Sequence, residues 1–159
     1  MSDEIHQKFM REAINLSIDN VKSGKGGPFG AVIVKDGQII ARDTNLVTSS
    51  NDPTAHAEVV AIRNACKELG TFQLDNCDIY TSCEPCPMCL GAIYWSRPAR
   101  LFFANTKKDA AEIQFDDNFI YEEIEIPYQN RSLLTQQILR DEALEAFRLW
   151  RTSNIKMEY

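Results

Sequence analysis

Histidine is scarce in this chain: among 159 residues only His6 and His56 carry an imidazole. That scarcity excludes a metal centre built mainly from imidazoles and leaves two places from which a histidine ligand can come. Cationic residues are also in short supply. Lys and Arg total 17 against 23 Asp and Glu, a formal net charge of −6, so the broad basic face that grips a phosphate backbone is not advertised. The balance points away from nucleic acid and toward a small-molecule substrate. No apolar run reaches the roughly 20 residues of a membrane-spanning helix. The opening Met1-Ser2-Asp3-Glu4 is acidic and leads into no apolar core of a secretory signal. The chain therefore reads as cytoplasmic, with no membrane partner. Repeats, low-complexity tracts and Pro- or Ser-rich linkers are absent too. Residues 1–159 read as one domain, closed by a 153–159 tail without helical periodicity.

What is present is a small set of chemistry-bearing residues at telling spacings. The five cysteines, Cys66, Cys77, Cys83, Cys86 and Cys89, are an odd number in a reducing compartment, which argues for metal ligation over a disulfide framework. His56-Ala57-Glu58 precedes Pro85-Cys86-Pro87-Met88-Cys89 by about thirty positions. Together they offer one imidazole and two thiolates, one ligand short of a closed tetrahedral zinc site, and such a site keeps a position for water. Pro85 marks a helix start. Cys86 and Cys89 then share a face at a helix N-terminus, where the dipole lowers thiol pKa. The first helix carries His6 on its solvent side, which leaves His56 as the nitrogen ligand.

Three rival readings stay open at this point. Cys83, three residues before Cys86, would close a structural Cys3His site. Cys86 and Cys89 would alternatively form a redox pair, and His56 would be a satisfied core residue. Glu58 speaks for the open site, because zinc acidifies a water whose proton a nearby carboxylate can carry to a ring nitrogen and a departing amine. H-x-E followed by P-C-x-x-C is the known signature of zinc-dependent nucleobase deaminases. Cys66 and Cys77 read as small buried apolar residues.

Periodicity supplies the frame. Ile5, Phe9, Ala13 and Leu16 predict a first helix ending in the glycine-rich run 24–30. Apolar runs at 31–34 and 38–41 flank Asp36-Gly37, a hairpin signal. A helix is expected over 55–69, strands at 78–81 and 100–104, an apolar helix after Pro85, short helices within 107–128 and a last helix over 135–151. One mixed sheet with helices on both faces follows. The run 24–30 follows a helix and enters a strand, so it is a tight turn and not a dinucleotide loop.

Across Gly26-Gly27-Pro28-Phe29-Gly30-Ala31, the segment 51–58, the segment 81–95 and Phe115-Asp116-Asp117, the chain resembles the cytidine deaminase-like superfamily and, within it, the bacterial guanine deaminases. The first three segments recur in tRNA adenosine deaminases; the Phe-Asp-Asp segment looks like guanine deaminases. The resemblance implies an α/β protein, a three-layer α/β/α fold around a central mixed five-stranded sheet. It implies one Zn2+ per subunit on His56, Cys86 and Cys89, with Glu58 as proton shuttle. It gives Asp117 a catalytic role at the 2-amino edge of guanine, against a plain helix-capping role. Asn45, Phe29, Ala57, Trp95 and Tyr159 join as substrate-binding residues, against the plainer readings of turn residue, core aromatic and disordered tail. The activity implied is hydrolysis of guanine to xanthine and ammonia. Guanosine deamination, tRNA adenosine deamination and a non-catalytic zinc module are the alternatives. A homodimer is implied in which the tail crosses over and Tyr159 covers the partner's pocket.

Overall fold

The computed structural model describes residues 3–158. Its frame begins with the Asp36-Gly37 turn, whose φ values of 51° and 76° supply the twist that two-residue hairpins need. It joins β1 (Gly30–Lys35) to β2 (Gln38–Thr44) as an antiparallel pair. β3 (Cys77–Cys83) lies antiparallel on the other side of β1, and β4 (Arg100–Asn105) runs parallel to β3. The strand order is β2-β1-β3-β4, a mixed sheet as the sequence implies. Asp78 and Arg100, opposite each other in the parallel pair, form a two-toothed ion pair with contacts of 2.8 and 2.7 Å.

Alternation along the strands divides the core. Val32, Val34 and Tyr80 face α1 (Asp3–Lys22) and pack on Phe9 and Ala13. Ala31, Ile33 and Ile79 face the other way, onto Ala57, Ala61 and Ala65 of α3 (Ala57–Leu69) and Ile93 of α4 (Pro87–Ser96). Three alanines one turn apart let α3 lie close to the sheet. Sheet and flanking helices thus make three layers. α1 approaches β1 so closely that a Cβ on Gly30 would run into the Ala13 carbonyl, Leu16 Cβ and Ser17 N.

Several expectations need correction. The sheet has four strands among the described residues, not five. Beyond β4 the Thr106 hydroxyl and Asp109 carboxylate form a capping box that starts α5 (Lys107–Glu112), and residues 131–139 take up neither helix nor strand. That stretch, Arg-Ser-Leu-Leu-Thr-Gln-Gln-Ile-Leu, lacks the alternation a half-buried strand requires. His6 is not a free solvent residue. It shares the stripe of Phe9, Met10 and Ala13, and its Nδ1 lies 2.6 Å from the Tyr80 hydroxyl with its ring 4.6 Å from that of Phe102. The turn-rich segment after β2 contains a one-turn helix, α2 (Val47–Ser50), where the Ser49 and Ser50 hydroxyls donate back to the Leu46 carbonyl. Cys66, read as buried, is only half-buried.

The chain divides into two compact units, residues 1–117 and 118–159. The first holds the sheet and α1 to α5. The second holds α6 (Asn118–Glu125), a 3-10 turn (Tyr128–Asn130) and α7 (Arg140–Thr152). Within it the Ser132 amide donates to the Glu123 carboxylate at 2.9 Å. α7 begins at residue 140 and not near 135, because Asp141 and Glu142 provide the acidic first turn that suits a helix N-terminus. No helix among the described residues is long and apolar enough to cross a membrane.

The close approach of α1 to β1 yields a stability prediction. Gly30→Ala should lower the urea midpoint, with an unchanged m-value, by an amount equivalent to about 1–3 kcal/mol. A wild-type midpoint would mean that α1 yields at no cost.

Candidate active site

Two helices begin at the same place. His56 is the N-cap of α3, with φ −67° and ψ 151°, and Cys86 is the N-cap of α4, with φ −66° and ψ 168°. Cys86 is extended because it precedes Pro87, and a residue before proline is pushed out of the helical region. Pro87, not Pro85, is therefore the proline that opens the helix. Cys89 is then the third helical residue, and the N-cap side chain naturally faces that position. Both helix N-termini direct their partial positive charge at the sulfur pair.

His56 Nδ1 lies 3.5 Å from Cys86 Sγ and 3.4 Å from Cys89 Sγ. Zinc bonds of about 2.1 Å to nitrogen and 2.3 Å to sulfur at tetrahedral angles place such ligand atoms about 3.6 Å apart. The donor set, one imidazole nitrogen and two sulfurs within 4.8 Å of one another, therefore fits zinc in both chemistry and spacing. Cys83 is not part of the cluster. Its Sγ faces the Thr106 carbonyl at 3.7 Å, and burial pushes its thiol up to about 11. The closed Cys3His reading has no fourth ligand in that residue.

The charges respond to the same crowding. A hydrogen bond from Cys89 is the largest influence on Cys86 and holds it down at about 4, with His56 adding to the effect against burial. Cys89 is pushed up by that bond and by burial. His56 rises, chiefly through its bond with Cys86. Metal binding requires the sulfurs as thiolates and the imidazole neutral.

Glu58 is the second residue of α3 and only 6% exposed. Burial is the main force raising its pKa, which suits a carboxyl that must hold and release a proton. Thr81 on β3 stands beside it: the Thr81 hydroxyl donates to the Cys83 carbonyl at 2.8 Å and lies 3.5 Å from Glu58 Oε1. Thr81 escaped sequence reasoning, because a threonine in a strand carries no signal beyond β propensity.

The remaining candidates are placed as follows. Asn45 is buried, and its Oδ1 accepts from the Val47 amide at 3.2 Å. That bond fixes the orientation of the carboxamide and leaves its NH2 without a partner among the described residues. Phe29 meets Phe115 edge to face, ring centres 5.0 Å apart. Asp117 is half-buried; desolvation raises its pKa first and the Cys86 charge second, while Lys107 opposes. Asp117 thus lies within electrostatic reach of the sulfur pair. Ala57, the first residue of α3, is fully buried in the core. Trp95, on the last turn of α4, is 67% exposed. Tyr159 lies outside the described residues.

Comparison with known proteins settles the family. The sequence profile of the cytidine and deoxycytidylate deaminase zinc-binding region matches residues 3–105. The chain belongs to this zinc-binding deaminase family. The matched span contains the three candidate ligands and Glu58 and ends at β4 (Arg100–Asn105). The deaminase is 58% identical to the guanine deaminase of Bacillus subtilis over 154 residues, 97% of this chain and 99% of the relative. The X-ray structure of a guanine deaminase from that organism superposes with a TM-score of 0.94 at 57% identity, covering 100% of this chain and 99% of the other. A guanine deaminase structure from Nitrosomonas europaea gives a TM-score of 0.65 at 34% identity, over 69% of this chain and 63% of that one. A tRNA-specific adenosine deaminase from Aquifex aeolicus is 46% identical over 81 residues, 51% of this chain and 54% of the relative.

The deaminase should carry about one zinc per chain when measured by atomic emission. Cys86→Ala, Cys89→Ala and His56→Ala should each lower that content at least tenfold in metal-buffered medium, since the site has no spare ligand. Cys83→Ala should retain it. Loss of zinc from the Cys83 variant would restore the closed four-ligand reading.

Proposed function

We propose that this deaminase hydrolyses guanine to xanthine and ammonia. The observation that carries deamination is the three-ligand cluster with a buried Glu58 beside it. The choice of guanine rests on the similarity to a guanine deaminase over nearly the whole chain, whereas the similarity to tRNA deaminases falls on about half of it. The shortage of cationic residues also favours a free base over a polynucleotide.

Bound by His56, Cys86 and Cys89, zinc supplies the Lewis acidity that makes water a nucleophile near neutral pH. The chain's residues supply the rest. Glu58 accepts the proton lost by the attacking water and delivers it to the purine N3 as oxygen joins C2. A second transfer moves the proton left on the added oxygen to the 2-amino nitrogen and lets ammonia leave as the C2 carbonyl forms, so guanine plus water becomes xanthine plus ammonia. Asp117 stands at the amino edge and assists that second transfer. The free NH2 of Asn45 donates to an acceptor on the ring. Ala57 offers a backbone N–H that a helix's first residue does not use internally. Phe29, braced by Phe115, forms an apolar wall for the base, and Trp95 contributes a second.

We further propose a cytoplasmic homodimer in which residues 1–159 act as one catalytic domain and the 153–159 tail crosses to the partner, where Tyr159 covers the site. Support comes from the second unit, where Leu133, Leu134, Ile138, Phe147 and Ile155 are all exposed. So much uncovered apolar surface on so short a segment calls for a partner. A second copy meets that need by exchanging the same element, a low-cost route to a dimer.

Ammonia release from guanine, guanosine, cytosine, cytidine and an adenosine-containing anticodon stem tests the substrate. Guanine alone should be consumed; turnover of guanosine but not guanine would overturn the choice of base. Glu58→Gln should lower kcat by at least about a hundredfold while keeping its zinc, and a fully active variant removes the shuttle. Light scattering should give twice the chain mass. Deleting Tyr159 should reduce kcat/KM for guanine with zinc content unchanged; a monomer, or an unaffected deletion, defeats the exchanged tail.

A further inference from the structure

The end of α1 reaches into the loops beside the site, at a residue with no part in the chemistry above. Asn20 is 3% exposed, and its carboxamide Nδ2 donates to the Gly27 carbonyl and to the Asn45 carbonyl, each at 2.9 Å. Those carbonyls belong to separate segments: the glycine-rich run that presents Phe29, and the strap after β2 that presents Asn45. The segments also touch directly, since the Asn45 amide donates to the Phe29 carbonyl at 3.1 Å. The Thr48 hydroxyl adds a longer bond of 3.4 Å to the Lys25 carbonyl. Gly26 fits into this joint only because it has no side chain. A Cβ there would strike the Asn45 carbonyl oxygen and lie 3.0 Å from Asn20 Nδ2.

A primary carboxamide nitrogen carries two N–H bonds, and here both are spent on tying these segments together. We infer that Asn20 is a positioning residue: it sets the spacing between the Asn45 carboxamide and the Phe29 ring, and so governs how tightly an aminated purine is held. This rests on the reading of Asn45 and Phe29 as base-facing groups. Asn20 itself does not reach the base. Its Nδ2 is saturated by backbone, and its main-chain carbonyl accepts from the Ser23 hydroxyl at 3.0 Å and the Lys25 amide at 3.2 Å. The glycine-rich run owes its order to the same residue, since the end of α1, the run and the strap all meet on it.

The test compares Asn20→Leu, which keeps the branched outline and deletes both donors, with Gly26→Ala, which strains the same joint from the opposite side. Each should raise KM about tenfold, the loss expected when a buried pair of hydrogen bonds no longer holds its partners. kcat should stay within about threefold and zinc per chain should not change. Amide exchange read by mass spectrometry should quicken across residues 45–47 and remain slow in β1. A merely structural asparagine predicts the opposite split, with fewer active molecules, a lower kcat and an unmoved KM. That result, or unchanged exchange at 45–47, overturns the inference. If Asn20→Leu does not accumulate folded, Gly26→Ala carries the same two readouts. KM is measured on whichever panel member the wild-type protein consumes. A wild type inert to guanine therefore sinks the choice of base alone, while the exchange readout depends on no substrate.

Discussion

Everything in the first unit is subordinate to setting two thiol sulfurs 3.5 and 3.4 Å from one imidazole nitrogen at the mouths of two helices. Unshielded, sulfurs with charge to share repel, and burying them costs several kcal/mol per uncompensated charge. The fold meets that cost with helix N-termini, an imidazole and, when bound, a cation. The alanine face of α3 and the sheet beneath it hold the two helix starts in register. Seen this way the core does not merely stabilise; it fixes the separation of two capping positions that lie thirty residues apart in sequence.

Glu58 gains its properties from the same placement. As the second residue of α3 it cannot turn away from the ligand that caps its own helix, and the packing that buries Ala57, Ala61 and Ala65 buries Glu58 with them. Burial raises its pKa, so a carboxyl so placed keeps its proton to a higher pH than an exposed one. Thr81 stands against one oxygen. This carboxyl is therefore held by core packing as much as by hydrogen bonds, which explains why it lies in a helix and not in a loop.

Much of this was legible in the sequence, because metal chemistry constrains residue type and spacing so tightly. His56, Cys86, Cys89 and Glu58 announce themselves, and the Asp36-Gly37 hairpin and the alternating strands place them on a mixed α/β frame. Boundaries and orientation were harder. Two prolines flank Cys86, and only the backbone shows that Pro87 opens the helix. His6 points to Tyr80 because it falls on the buried stripe one turn before Phe9 and Met10, a phase that periodicity leaves ambiguous near a helix end. The five-stranded sheet came from likeness to relatives, and no segment beyond β4 had the alternation to supply the extra strand. Asn20 and Thr81 carry no local signature at all. Their importance arises from contacts with residues far along the chain, which a single sequence does not display.

The Asp36-Gly37 hairpin has a practical side. β1 starts next to Phe29 and ends at Lys35, so the tip stands about 20 Å from the loop that carries Phe29 at strand rise. Both tip residues are exposed and touch nothing that the chemistry uses. A short flexible linker inserted there could tether this enzyme to a bead or fuse it to another module with its mouth turned outward, free to exchange base and ammonia with the surrounding solution.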